Sequence, residues 1–360
     1  MDLTLTDTQT YLQDSVAGIV ARDAPTSVIR TWMADDDLRP AHQLAVRQGW
    51  TGIGLSEDAG GQGGGLQDLA LVAENLGCSV FPWDQVLATC VVGPVLATAG
   101  TRARELAVAG AEGETISALC LDSRTPSLRS DAVRVEGSHL NGRVDFVLGA
   151  ARADVLVVCR AGADGHGVDL FEVATEASGV AVTPRRLVDG TRDLADVTFT
   201  DAACVALGTV PRDVVDTALE SGVVLVAADS LGAAARMLEM TAAYVKDRQQ
   251  FGVAVGSFQA VKHAAAQMLV EVEGMRSAVQ FAAWSVETRA SDSDLQSSVA
   301  GAFCSRAGVL VADRALFLHG AIGYTWEHDL HLYFKRAKSA AVLFGSADWH
   351  HERVCAALQS

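Results

Sequence analysis

Apolar and polar positions divide the chain into three stretches of different period. From residue 1 to about 112 the apolar residues recur at helical spacing. Leu12, Val16, Ile19 and Val20 share one face, with Asp7 as the expected cap. Pro25 ends that helix, and His42 to Gly49 reads as a short helix closed by glycine. From about 113 to 208 the period shortens. Residues 115–121, 154–158, 168–173 and 196–200 are β-branched runs between Gly, Asp and Pro turns, which predicts a small antiparallel barrel or sandwich. Long helices return over about 211–250, 258–289, 293–319 and 327–357, and their short connections predict a four-helix bundle. The expected domains are 1–112, 113–208 and 209–360, a mainly α chain with a central β-domain.

Composition narrows the classes. With 360 residues, 49% of them apolar and 20% charged, the chain can bury a sizeable core in two or three domains. The formal charge of −16 argues against non-specific nucleic-acid binding, so any bound phosphate must meet a local basic patch. The seven cysteines are scattered without a CxxC, which fits reduced thiols and predicts a cytoplasmic protein. No signal peptide is expected from the acidic start, and the apolar runs are too short to predict membrane insertion.

Candidate chemistry concentrates after Val223. Residues 223–244 read as a helix whose last turn carries Lys246 and Arg248, with Gly252 as a left-handed stop. Arg248 and Phe251 lie three apart and so share a helical face; a guanidinium beside an aromatic ring can grip a pyrophosphate and cover a flat heterocycle. Ser257 is the expected cap of the next helix, with Gln259 early in it. The glycines between Gly60 and Gly65 lack the lysine and spacing of a phosphate loop and read as a mobile loop. His328 and His331 are three apart, but without an HExxH no metal site is expected. Trp326, Glu327 and Asp329 read as turn-builders, and no GxSxG elbow marks a hydrolase.

Arg248-Gln-Gln-Phe-Gly252 followed by Phe258-Gln-Ala-Val-Lys-His263 resembles the flavin-binding segment of the acyl-CoA dehydrogenases. A second block, Leu318-His-Gly-Ala-Ile-Gly-Tyr-Thr-Trp-Glu-His-Asp329 and the helix beyond it, resembles that family's glycine turn and penultimate helix. The resemblance implies an N-terminal helical domain, a middle β-barrel and a C-terminal four-helix bundle. It also implies FAD as cofactor, an acyl-CoA substrate and an electron-transfer flavoprotein as acceptor. The implied reaction is α,β-desaturation: a carboxylate takes the α-proton, a hydride leaves the β-carbon for the flavin, and aimed donors hold the enolate-like oxygen.

Against that pattern the chain departs at defined places. The position of the usual base, a glutamate, holds Phe344, whose backbone N–H still offers a donor to the thioester oxygen. An alternative family position falls on Gly222; Glu220 lies two residues away, about 200° around a helix, and is the remaining candidate base. The segment that touches a subunit's own flavin reads Cys120 to Pro126 and Phe146-Val-Leu148, without the expected hydroxyl, and Phe317 replaces a glutamine. Arg248, Phe251, Gln259, Gly320 and Gly323, which the family lends to a neighbour's flavin, remain. The resemblance therefore implies a hetero-oligomer whose second, acyl-CoA dehydrogenase-like subunit supplies the base. Actinobacterial enzymes acting on steroid side chains are built as such unequal pairs, and Thr325-Trp-Glu-His-Asp329 looks like that branch. A homo-oligomer, a non-catalytic stabilising subunit and an acyl-CoA oxidase are the alternatives.

Overall fold

The computed structural model describes residues 4–128, 132–162 and 167–359. In chain order they form α1 (Asp7–Asp23), α2 (Thr26–Ala34), α3 (Arg39–Arg47), α4 (Leu66–Gly77), α5 (Asp84–Ala97) and α6 (Thr101–Ala111). Strands β1 (Ser117–Leu119), β2 (Val133–Glu136), β3 (His139–Leu148), β4 (Val155–Ala161), β5 (Gly167–Ala174), β6 (Val180–Pro184), β7 (Leu194–Ala203) and β8 (Val205–Pro211) follow. The remainder is α7 (Arg212–Asp247), β9 (Gln249–Gln250), β10 (Val253–Ala254), α8 (Gln259–Glu287), α9 (Ser293–His319), α10 (Leu330–Ala340) and α11 (Ala347–Ala357). These residues fall into two compact units, Met1–Asp35 with Ala70–Phe81 and Val223–Ser360, and Asp36–Leu69 with Pro82–Gly222.

The β-containing unit corrects the expected closed barrel. Its strands form two separate four-stranded sheets, in the orders β1-β4-β5-β8 and β2-β3-β7-β6. All neighbours are antiparallel except β1 and β4, so the first sheet is mixed and the second is wholly antiparallel. Leu140, Val144, Val147 and Val197 of one sheet share a buried core with Leu156, Val158 and Val173 of the other. Two sheets that each bury a face against the other need no closure. The glycine loop is also tied down. Gly54 N–H donates to the Gly63 carbonyl at 2.9 Å and Gln62 N–H to the Gly52 carbonyl at 2.8 Å.

The helical unit differs from expectation at its ends. Thr6, not Asp7, caps α1, in a reciprocal capping box with Gln9. The last predicted helix is broken at residues 341–346, giving five helices from α7 onward instead of four. Phe344 (φ +56°) and Gly345 (φ +108°) reverse the chain there, and the Ser346 hydroxyl accepts from Trp349 N–H to start α11. Helix α7 is long and apolar enough to cross a membrane by length and composition, and 83% of its most apolar window is buried.

Gly232 lies inside α7, where glycine weakens a helix, and it serves there as a contact. A Cβ on it would stand 1.8 Å from the Glu74 carbonyl oxygen, and one on Gly77 would stand 2.1 Å from that of Asp229. Backbones therefore touch where α4 meets α7. Arg336 of α10 locks this crossing from a fully buried position, pairing with Asp229 at 2.6 Å and donating to the carbonyls of Val80 and Phe81 at 3.0 and 2.9 Å. Arg336→Met would leave a buried carboxylate without its guanidinium and two buried carbonyls without that donor. The expected loss is about 3–5 kcal/mol in denaturant-unfolding free energy. A loss under about 1 kcal/mol, the scale of a surface pair, would refute the lock.

Candidate functional site

The segment after α7 is not the helical face that the spacing suggested. The helix ends at Asp247, and Arg248 opens a two-residue-arm hairpin in which Gln250 pairs with Val253. Phe251 (φ +53°) and Gly252 (φ +77°) are its central residues, both left-handed, as a type I′ turn requires. Glycine meets that requirement freely, whereas phenylalanine meets it under strain. The Phe251 ring is 93% exposed, touched edge-on by Phe258 at 6.3 Å. Arg248 is exposed, and among the described residues its guanidinium has no ion pair. Gln259 is likewise exposed, in the first turn of α8. The expected cap is corrected too: Phe258 holds the cap position, and the Ser257 hydroxyl turns back to the Ala254 carbonyl at 2.7 Å.

Gly320 and Gly323 shape the turn after α9. Gly320 has φ +65° and ψ −145°, a conformation essentially reserved for glycine, with open space where a Cβ would stand. Gly323 is instead crowded: a Cβ would meet Leu330 Cδ2 at 3.0 Å. Before the turn, Phe317 is 82% exposed. After it, Asp329 accepts from Thr26 at 2.6 Å and from Arg30 at 2.9 Å, while Trp326 stacks on His331 at 4.7 Å. These side chains build the turn. His328 and His331 do not share a helix face, because α10 begins at Leu330; His328 Nδ1 accepts from the Leu330 N–H and its ring meets His319. Burial lowers the pKa of His319 and of His331 from the ordinary imidazole value. Among the described residues no group of three or more His, Cys, Asp and Glu is arranged to hold a metal.

Phe344 is buried, and its side chain carries no group that takes a proton. Glu220 lies half-buried on α7.

In the β-containing unit, Phe146 also has a left-handed backbone, φ +55°. Its ring centroid lies 3.8 Å from the Arg124 guanidinium and 4.1 Å from that of Arg185. Two guanidiniums at that range cannot share one face of a ring, so they sandwich it. Asp196 fastens the arrangement. It accepts from Arg185 and Arg143, each at 2.8 Å, and from the Phe146 N–H at 3.1 Å. Sequence reasoning missed this stack, since its rings and charges come from β3, the loop before β2 and the loop after β6. No local spacing signals it.

The two faces differ in their fit to a flavin dinucleotide. The hairpin offers an uncommitted guanidinium for a diphosphate and an open ring for a flat heterocycle. The Phe146 face does not fit, because its ring is covered on both sides by the chain's own cations.

Comparison with known proteins agrees with the fold. The description "Acyl-CoA dehydrogenase, C-terminal domain" matches residues 212–359 and "Acyl-CoA dehydrogenase, N-terminal domain" matches residues 6–105. Acyl-CoA dehydrogenase IpdE2 of Mycolicibacterium smegmatis is 32% identical over 347 residues, covering 95% of this chain and 96% of its own length. IpdE2 of Mycobacterium tuberculosis is also 32% identical, covering 93% of this chain and 92% of its own. Among solved structures, the ChsE4-ChsE5 complex from Mycobacterium tuberculosis superposes with a TM-score of 0.87 at 26% identity, covering 100% of this chain and 99% of that one.

The hairpin generates a stability test. Phe251→Asn keeps a residue that tolerates the left-handed region and removes an exposed ring. Unfolding free energy should rise by about 1 kcal/mol in the purified chain. A drop of similar size would show that the ring is held by contacts within its own chain.

Proposed function

The chain belongs to the acyl-CoA dehydrogenase family, oxidoreductases of CH–CH bonds whose cofactor is FAD, and from that premise we propose that it works as one half of an unequal pair. The pair desaturates an acyl-CoA thioester between its α and β carbons. The partner subunit supplies the catalytic base and the side of the flavin site that belongs to its own β-domain. This chain supplies the opposite side through Arg248, Phe251 and Gln259, on an edge shaped by Gly320 and Gly323. Bound FAD supplies the hydride acceptor. Electrons then pass to an electron-transfer flavoprotein.

One observation carries this reading: Phe251 stands strained and 93% exposed, while the equivalent β-domain face is closed around Phe146. Strain and exposure both cost stability, so an aromatic kept in that state fits contact with something outside its own chain. Phe344 at the base position and the relation to the paired ChsE4-ChsE5 structure support the same division. The chain's own part in the chemistry is then to position. Arg248 neutralises diphosphate charge, and Phe251 excludes water from a ring face.

The reading predicts that the chain purified alone carries no flavin, and that native mass spectrometry of the assembly finds a second acyl-CoA dehydrogenase-like subunit with FAD. A full flavin complement and dye-linked dehydrogenation by the pure chain would refute the unequal pair. Peroxide formation would make it an oxidase. In the assembly, Arg248→Ala should weaken flavin retention by about 2 kcal/mol, roughly thirtyfold, with the fold intact. Glu220→Gln should leave turnover nearly unchanged. A collapse of turnover with flavin preserved would make Glu220 the base.

A further inference from the structure

The two segments that the reading above assigns to the cofactor are joined by a residue it does not use. His319 ends α9, directly before Gly320, and is 3% exposed. Its Nδ1 lies 2.8 Å from the Ala315 carbonyl oxygen, which can only accept, so Nδ1 carries the proton. Among the described residues, Nε2 is buried without a hydrogen-bond partner. A proton there would be a buried donor with no acceptor, so the ring is held in its neutral Nδ1–H form.

What the ring touches gives its use. Its flat face lies on the Tyr244 ring, with centroids 4.6 Å apart and planes 18° from parallel. The His328 ring meets it at 5.0 Å and 65°. Gly323 packs closely as well: a Cβ there would stand 3.1 Å from His319 Cβ. Tyr244 belongs to the last turn of α7, and its carbonyl accepts from the Arg248 N–H at 2.9 Å. Arg248 in turn closes the hairpin, its carbonyl accepting from the Val255 N–H at 2.7 Å. One imidazole thus ties the root of the hairpin to the glycine turn. Histidine suits the task. Phenylalanine would stack but lack the bond that fixes the plane of the ring, and asparagine would bond but offer no aromatic face.

We propose that His319 is a positioning residue that sets the distance between the Arg248 hairpin and the Gly320 turn, through its stack on Tyr244, so that both meet one dinucleotide. The dinucleotide half of this rests on the cofactor placement proposed above, whereas the tie between the segments stands on the chain alone.

Hydrogen exchange in the full chain tests the tie, read at residues 245–255 and 319–325. His319→Leu keeps much of the volume and removes both the flat face and the N–H. Exchange should quicken by about tenfold in both segments while the Arg336 crossing stays protected. Tyr244→Leu should loosen the glycine turn from the other side. His319→Phe, which restores the face, should return most of the protection of the hairpin. Faster exchange at 319–325 with the hairpin unchanged would overturn the proposal. So would a ¹⁵N-histidine spectrum of the wild type showing His319 protonated at Nε2, a result that needs no variant to fold. In the assembled holoenzyme, His319→Leu should weaken FAD retention by about tenfold, and far less where Arg248 is already alanine. Losses that simply multiply would show that His319 does not act through the hairpin, and would overturn the positioning role. Coupled exchange with FAD retention unchanged even in Arg248→Ala would uphold the tie and refute instead the placement of the cofactor.

Discussion

The helical unit is organised around a guanidinium that never meets water. Arg336 spans the place where the end of α4 runs against α7, and neutralises Asp229 while serving two carbonyls of the chain leaving α4. One of those carbonyls belongs to Val80, a β-branched residue at φ +53°, a conformation that needs outside support. One turn earlier on α10, Tyr333 donates to the Cys78 carbonyl at 2.9 Å, and Arg276 of α8 reaches Glu74. Three helices thus grip the last turns of α4. The crossing also explains both ends of the candidate site. From Asp229, α7 runs rigidly for some 27 Å to the hairpin, and from Arg336, α10 leads within a few residues to the Phe344 turn.

Three phenylalanines, at 146, 251 and 344, have left-handed backbones, and each is accommodated differently. Phe146 is gripped by two arginines, and Phe344 is buried. Phe251 has only an edge contact with Phe258. The same backbone cost therefore has an internal explanation at two sites and none at the third. That contrast separates a strained residue used for folding from one held ready for contact with another molecule.

The periodicity shows the helix–strand–helix order because each stretch buries one regular face. It shows α7 and α9 well, since their apolar residues run on for many turns. It fails where geometry overrides composition. The break at 341–346 is not marked by the apolar periodicity, although Gly345 is a poor helix residue; the left-handed backbone at Phe344 and Gly345 makes it plain. Gly232 reads as a breaker because sequence cannot show that another backbone lies against it. Separate sheets and a closed barrel leave the same alternation in the strands, so closure was not legible. Arg248 and Phe251 were singled out by motif, and the helical face assigned to them is a hairpin. The Phe146 stack joins residues far apart in sequence and has no local signature.

Symmetry gives the proposed pairing a consequence. In an oligomer of identical chains, every flavin site would combine the open hairpin of one copy with the closed Phe146 face of another. Each would also have Phe344 where a base belongs, so the defect would repeat at all sites equally. An unequal pair escapes this, because its sites come in two compositions. One joins this chain's hairpin to the partner's β-domain face, and the other joins this chain's β-domain face to the partner's hairpin. Only the first has room for the cofactor. Closing the second with Arg124 and Arg185 then carries no penalty in activity, and Asp196 turns an abandoned ligand face into a neutralised, hydrogen-bonded part of the fold. On this reading the stack is the structural trace of a site given up because a better one is assembled with the partner.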